Sequence, residues 1–315
     1  MEFFKARTNI DFLGQTRWMV PISLVVCTIC LGSIVFRGFN YGIDFVGGTA
    51  IELKVPDALG PIDEDKMRDA LGAIEQGEAA IVRIGSPEER SFRINLNASQ
   101  EESRDLSVQL VKSLSEKLGG ELTLLSVDSI GPRVGNELRR SALTALLLSW
   151  VAILGYIWFR FEWQFAPGAV VALVHDVLIS AGMFSIFWWE FDLNVLAALL
   201  VIIGYSTNDT IVIYDRIRET IALRGTTDLE DVVNQSLNST LSRTILATGM
   251  TLLVVVSLLL LGGPVLHGMA LALFLGMISG VYSTIYVASA LLVWLGRRYG
   301  RKVASSTERK ARATT

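Results

Sequence analysis

Apolar residues in this chain gather into six long runs, and the polar residues fall between them very unevenly. The runs cover residues 18–36, 142–159, 167–189, 195–214, 244–262 and 268–294. An α-helix needs about 20 apolar residues to cross the hydrocarbon of a bilayer. Each run therefore predicts a transmembrane helix. Four of the connections are short or moderate; the one between the first and second runs is about 100 residues long, enough for a small independent domain.

That long connection alternates between two periodicities. Residues 50–55 alternate apolar and polar positions and predict a strand. Residues 62–74 carry Met67, Leu71 and Ile74 at helical spacing, with acids in the first turn where the helix dipole favours them. Residues 80–84 and 92–96 read as two strands around the polar turn 85–89. A second helix is expected over 99–118, with Leu106, Leu110, Leu114 and Leu118 on one face and a Ser99–Glu102 capping box. A last strand covers 122–130. The order βαββαβ is the ferredoxin-like α+β plan, which hosts many functions and names none. The expected architecture is thus a polytopic α-helical membrane protein with six transmembrane helices and a ferredoxin-like domain between helices 1 and 2.

Composition agrees, since 51% of the 315 residues are hydrophobic. Charge adds an orientation. Residues 38–138 hold 18 Asp and Glu against 10 Lys and Arg, whereas residues 297–315 hold seven Lys and Arg and one Glu. Lys5, Arg7, Arg17, Arg160, Arg216, Arg218, Arg224 and Arg243 all lie on one side of the alternating spans, and the short turns at 190–194 and 263–267 carry no Lys or Arg. By the positive-inside rule both termini are cytoplasmic and domain 38–138 is extracytoplasmic. Arg37, Arg139 and Arg140 flank that long domain, whose translocation is largely indifferent to charge. The expected organisation is a cytoplasmic N-terminus (1–17), transmembrane helix 1 (18–37), the outer domain (38–138), transmembrane helices 2–6 (139–296) and a basic cytoplasmic tail (297–315). Six of the seven tryptophans sit at or near span ends, as an interfacial aromatic belt requires; Trp150 is mid-span. No Ala-x-Ala cleavage site follows the first run, which is expected to remain as a span.

The chemistry-bearing residues are few. Cys27 and Cys30 are spaced C-x-x-C inside an apolar run, with no basic group nearby to activate a thiolate, and read as small packing residues. The outer domain has no His, no Cys and no Gly-rich phosphate loop. It reads as a binding or coupling module, with no metal site and no enzymatic constellation. Two glycine-rich segments join it to the membrane. One runs from Asn40 to Thr49 with Gly42, Asp44, Gly47 and Gly48; the other runs from Ser129 to Leu138 with Gly131, Pro132 and Gly135. They are expected to lie near each other, as a packing collar or as a hinge that transmits motion.

Acids inside spans are costly and mark ion pairs, relays or pathways. Asp209 lies in the polar run Ser206, Thr207, Asn208, Asp209, Thr210 of the fourth span; Asp176 follows His175 in the third. The fifth span opens with Arg243, and Thr240, Thr244, Ala247, Thr248 and Thr251 form a small polar stripe at i+3 and i+4 spacing, suited to close packing or a wet path. If the fourth and fifth helices are antiparallel, Arg243 lies near the end that Asp209 approaches. A carboxylate in hydrocarbon favours its neutral form and a neighbouring guanidinium favours the ionised one. The two residues therefore form either a proton-driven switch or a static pair that fixes helix packing. Asp176 is either a second relay group or a hydrogen-bonded packing residue.

Taken together these residues resemble the SecF branch of the SecD/SecF family of bacterial protein-export subunits, within the resistance-nodulation-division superfamily. The resemblance covers nearly the whole chain. Its carriers are the run from Gly42 to Thr49, Gly131-Pro132-x-Val134-Gly135, Phe159-Arg160-Phe161-Glu162, Val174-His175-Asp176, the run from Gly204 to Arg216, and Ser242-Arg243-Thr244. It implies half of a transporter whose other half is SecD, using the proton motive force to help pull preproteins through the SecYEG channel at its outer face, with YajC as a further partner. It places the membrane acid and arginine of the family at Asp209 and Arg243. It implies a bacterial inner membrane location, protons as coupling ion, no other cofactor, no ATP at this subunit and no nucleic acid. The competing expectations are a half-transporter exporting a small molecule or lipid, which would normally need a larger apolar-lined outer region, and a non-coupled scaffold of the channel.

Overall fold

The computed structural model describes residues 8–60, 62–72, 80–84, 90–96, 103–160, 164–224 and 228–299. The chain enters through α1 (Phe12–Phe36), whose first turn is capped by the Asp11 carboxylate accepting from the Gly14 N–H at 2.8 Å. It then makes a two-residue strand β1 (Asn40–Tyr41), a single turn α2 (Ile43–Val46) and the outer domain. The domain comprises β2 (Gly48–Lys54), α3 (Glu64–Gly72), β3 (Ala80–Ile84), β4 (Ser91–Leu96), α4 (Ser103–Leu118) and β5 (Thr123–Ile130). The long α5 (Pro132–Arg160) leads to α6 (Ala166–Phe187), β6 (Glu190–Phe191), α7 (Leu193–Arg224), α8 (Leu229–Leu261) and α9 (Gly263–Tyr282). A π-helical turn, Ser283–Ala288, joins α9 to α10 (Ser289–Tyr299).

Among the described residues, six helical segments are long and apolar enough to cross a membrane, the last running from α9 through the π turn into α10. α1, α5 and α8 expose long apolar side chains such as Leu24, Val151 and Leu253, whereas α6 and α7 are largely covered by their neighbours. α6, α7 and α9 therefore form the centre of the bundle.

The outer sheet has the order β3-β4-β2-β5, and every neighbouring pair is antiparallel. Alternation along the strands gives it two faces. Ile51, Leu53, Phe92 and Ile94 point at Met67 and Leu71 of α3 and at Leu110 and Leu114 of α4, all at most 3% exposed. The other face, carrying Glu52, Arg93 and Asn95, turns to the α6–α7 connection. The expected turn 85–89, the Ser99–Glu102 capping box and Ile74 lie outside the described residues.

Several features differ from the sequence-based expectation: α8 begins at Leu229, so Arg243 lies well inside it rather than at its start, and α5 begins at Pro132 rather than near residue 142. β1 and β6 pair in parallel, Asn40 with Glu190 and Tyr41 with Phe191, where only connectors were expected. Two-residue strands leave no periodicity to read. The helix carrying Asp209 also does not stop near Tyr214 but continues to Arg224. Ile213, Tyr214 and Ile217 keep helical spacing past the first charges and pack with Val232, Val233 and Leu237 of α8. A charge such as Asp215 ends an apolar run without ending the helix beneath it.

Candidate functional site

Two apolar clusters divide the bundle. One includes Val195, Leu199, Ile202, Leu173, Phe184 and Ala272. The other includes Ile213, Tyr214, Ile217, Phe165, Ala169, Ile285 and Ala288. On α7 the polar run from Ser206 to Thr210 falls between them, and the buried polar side chains of the other helices meet it there.

Asp176, wholly buried on α6, is the centre of this layer. Its Oδ2 accepts from the hydroxyls of Ser206 on α7 at 2.6 Å and Ser283 in the π turn at 2.8 Å. Its Oδ1 accepts from Ser279 on α9 at 2.7 Å and meets Nδ1 of His175 at 3.1 Å. Both oxygens are thus met twice, and one carboxylate joins α6, α7, α9 and the π turn. The His175 ring stacks on Tyr282 at 5.8 Å, while its Nε2 and the hydroxyl of Ser180 one turn on have no hydrogen-bond partner among the described residues. The layer continues through Thr210, whose hydroxyl bonds the Ser206 carbonyl at 3.0 Å and the Thr284 hydroxyl at 3.2 Å.

Asp209 is also buried, at 5% exposure, but is held much less firmly. Thr248 of α8 donates to its Oδ2 over 3.4 Å, at the outer limit of a hydrogen bond. Thr240, Thr244 and Thr248 do face inward as a stripe, and the Thr244 hydroxyl has no partner among the described residues. Arg243 lies on the exposed side of α8, and no ion pair within 4 Å joins it to Asp209 among the described residues. Asn208 is exposed, and the Thr207 hydroxyl bonds back to the Ile203 carbonyl at 2.6 Å.

At the other end of α7 the two glycine-rich segments come together. Gly47 and Gly48 adopt φ of 80° and 127°, in the region that favours glycine, and a Cβ on Gly48 would stand 2.7 Å from the Leu96 carbonyl oxygen. A Cβ on Gly135 of α5 would stand 3.0 Å from the Gly47 nitrogen. Asp44 reaches across to accept from the Leu193 N–H at 2.9 Å, and Asp192 accepts from the Val195 N–H at 2.8 Å, so both acids cap the start of α7. Gly42 abuts the Glu190 carboxylate. Gly131 has open space around it, and Pro132 begins α5.

Of the residues singled out from sequence, Asp176 and Ser206 are in direct contact, as are Asp209 and Thr248. Gly42, Asp44, Gly47 and Gly135 pack around one joint. Sequence reasoning missed Ser279, Ser283 and Glu190. The two serines could have been found as small polar residues four apart inside an apolar run; Glu190 carries no local signal.

Fold and site define a multi-pass membrane protein with carboxylates buried at mid-helix. Comparison with known proteins makes this specific. Residues 110–298 match the family model "Protein export membrane protein SecD/SecF, C-terminal", and residues 32–55 match the SecD/SecF GG motif. The chain is 41% identical to the protein translocase subunit SecF of Calditerrivibrio nitroreducens over 93% of this chain and 96% of that one. It is 38% identical to SecF of Rickettsia prowazekii, with 96% of each covered. The crystal structure of SecDF, a translocon-associated membrane protein from Thermus thermophilus, superposes with a TM-score of 0.84 at 38% identity. That match covers 94% of this chain but 40% of the longer SecDF chain. The chain belongs to the SecD/SecF family of protein-export membrane proteins.

Proposed function

We propose that the chain is the smaller half of a proton-driven export machine. It pairs with a SecD half and uses the proton motive force to assist preprotein movement through SecYEG, with YajC as a further partner. The observation that carries this reading is the contrast between the two buried acids. Asp176 is met by four groups, whereas Asp209 has one long hydrogen bond from Thr248 and lies on the helix next to the one that carries Arg243. An acid so weakly held is the one free to gain and lose a proton, with Arg243 as its electrostatic partner in the ionised state. No ATP, other cofactor or covalent chemistry enters this scheme; the coupling ion is the proton.

In this reading the termini are cytoplasmic and the outer domain lies on the periplasmic side of the inner membrane. The antiparallel order β3-β4-β2-β5 with both helices on one face supports a ferredoxin-like domain. The pairing with SecD draws on the SecDF match, in which this chain corresponds to less than half of the longer protein. The test is export of a secreted reporter in cells carrying Asp209→Asn or Arg243→Met at wild-type protein levels. Both are expected to lose gradient-dependent export; normal export in both would leave a non-coupled scaffold.

A further inference from the structure

Among the described residues, the outer domain touches the membrane bundle through a buried charged contact that no part of the coupling scheme above uses. Arg93 of β4 reaches from the uncovered sheet face to the α6–α7 turn, where its Nη1 donates to Glu190 Oε2 at 2.8 Å. The same guanidinium donates twice to Glu52 of β2, at 3.1 and 2.5 Å. Asn95 adds a bond to Glu190 at 3.5 Å. The side chains of Arg93, Glu52 and Glu190 are 15%, 4% and 10% exposed. One arginine therefore serves two buried carboxylates, and the second of them belongs to the turn that starts α7.

We propose that Arg93 and Glu190 form a proton-sensitive latch between the outer domain and the bundle, closed while Glu190 is ionised and opened when Glu190 takes up a proton. Three observations support this. First, the surroundings make Glu190 the weak member. Asp192 lies on its own turn, Asp44 of α2 caps the adjacent helix start, and Glu52 of β2 competes for the same guanidinium. Arg83 of β3 and His267 of α9 line the same cavity of about 270 Å³ as Glu190, Arg93 and Asp192. Second, burial pushes Glu190 above the ordinary carboxylate range, only partly offset by Arg93, and burial does the same to Asp192 with Asp44 beside it. Burial works against the charge on Arg93, yet Glu190 and Glu52 hold its guanidinium above its usual range, so the acid is the partner that titrates. Third, the cavity gives solvent a place beside the pair once it opens.

The sign follows from these directions. A carboxylate raised in the folded chain is ionised at high pH and neutralised as pH falls through that raised value. The latch closes at neutral pH and opens on acidification, the condition of an outer surface receiving exported protons. The inference does not require Asp209 to be the coupling acid, because Glu190 precedes α7 in β6 whereas Asp209 lies within the helix.

The test uses the full chain in lipid nanodiscs with Cys27→Ala and Cys30→Ala, so that spin labels report from Lys54→Cys at the end of β2 and Leu261→Cys at the end of α8. Pulsed electron resonance should give one narrow distance at pH 8 and a broader, shifted distribution by pH 5. The midpoint should lie above the value of about 4.3 for a free glutamate. Glu190→Gln and Arg93→Gln should each give the broad distribution at both pH values. The wild-type titration tests the idea even if either variant folds poorly. A distance that does not respond to pH overturns the proposal, as does a full response retained in Glu190→Gln. Asp209→Asn should keep the response; its loss there would overturn the latch while leaving the coupling role of Asp209 intact.

Discussion

At the scale of single residues the two membrane acids differ in what holds them, and that difference predicts opposite mutational behaviour. Asp176→Ala removes an acceptor shared by three buried hydroxyls and an imidazole nitrogen; Ser283 keeps the Gly280 carbonyl at 3.1 Å and Ser279 keeps His175 Nδ1 at 3.4 Å, which leaves the Ser206 hydroxyl stranded. A buried group left unsatisfied costs roughly 1–3 kcal/mol, so thermal unfolding in detergent should show a loss of about 2 kcal/mol. Asp209→Asn disturbs one 3.4 Å bond, and should unfold within about 1 kcal/mol of the parent. Export activity should rank the other way, with Asp209→Asn abolishing gradient dependence in a stable protein. A destabilised Asp209→Asn would identify it as a packing residue. The small residues around these acids are equally constrained. A Cβ on Gly168 would collide with the Tyr214 hydroxyl and stand 2.8 Å from the Ala288 carbonyl, so even alanine there must push α6 away from the π turn.

Among the elements, α7 carries most of the burden. Its N-terminal end is capped by Asp44 and Asp192, its middle carries Ser206, Asp209 and Thr210, and its C-terminal end packs with α8. Asp44→Ala should weaken the cap by about 1 kcal/mol, seen as faster hydrogen exchange at the amides of residues 193–196 without loss of the outer sheet. Gly48→Ala meets both a φ of 127° and the Leu96 carbonyl at 2.7 Å, and should destabilise the outer domain by roughly 1–3 kcal/mol, measured by chemical denaturation. Much of this was legible beforehand because it is periodic. Spans of about 20 apolar residues and the strand and helix alternation in the outer domain leave marks that single sequences carry. Asp209 and Asp176 stood out because their neighbours are apolar. What could not be read was long-range and brief: the pairing of Asn40 with Glu190, the reach of Arg93 to the same residue, and the continuation of α7 to Arg224. Each depends on partners about 100 or more residues away in sequence, or on packing that a charge pattern conceals.

On the scale of the whole molecule the chain is a bundle with one polar layer and an outer domain bonded to the start of the helix that crosses it. The exposed apolar sides of α1, α5 and α8 leave α6, α7 and α9 as the interior, so changes in the polar layer act on the centre. The π turn at Ser283–Ala288 gives that layer a mechanical meaning. A π turn holds one residue more than an α turn, and one helical residue corresponds to about 100° of rotation and about 1.5 Å of rise. Ser283 holds Asp176 from the first position of that turn, and α10 beyond it ends in Arg297 paired with Glu230 of α8. Passing the extra residue along the helix would turn α10 like a screw, swinging its inner face past α8 while leaving α9 at rest.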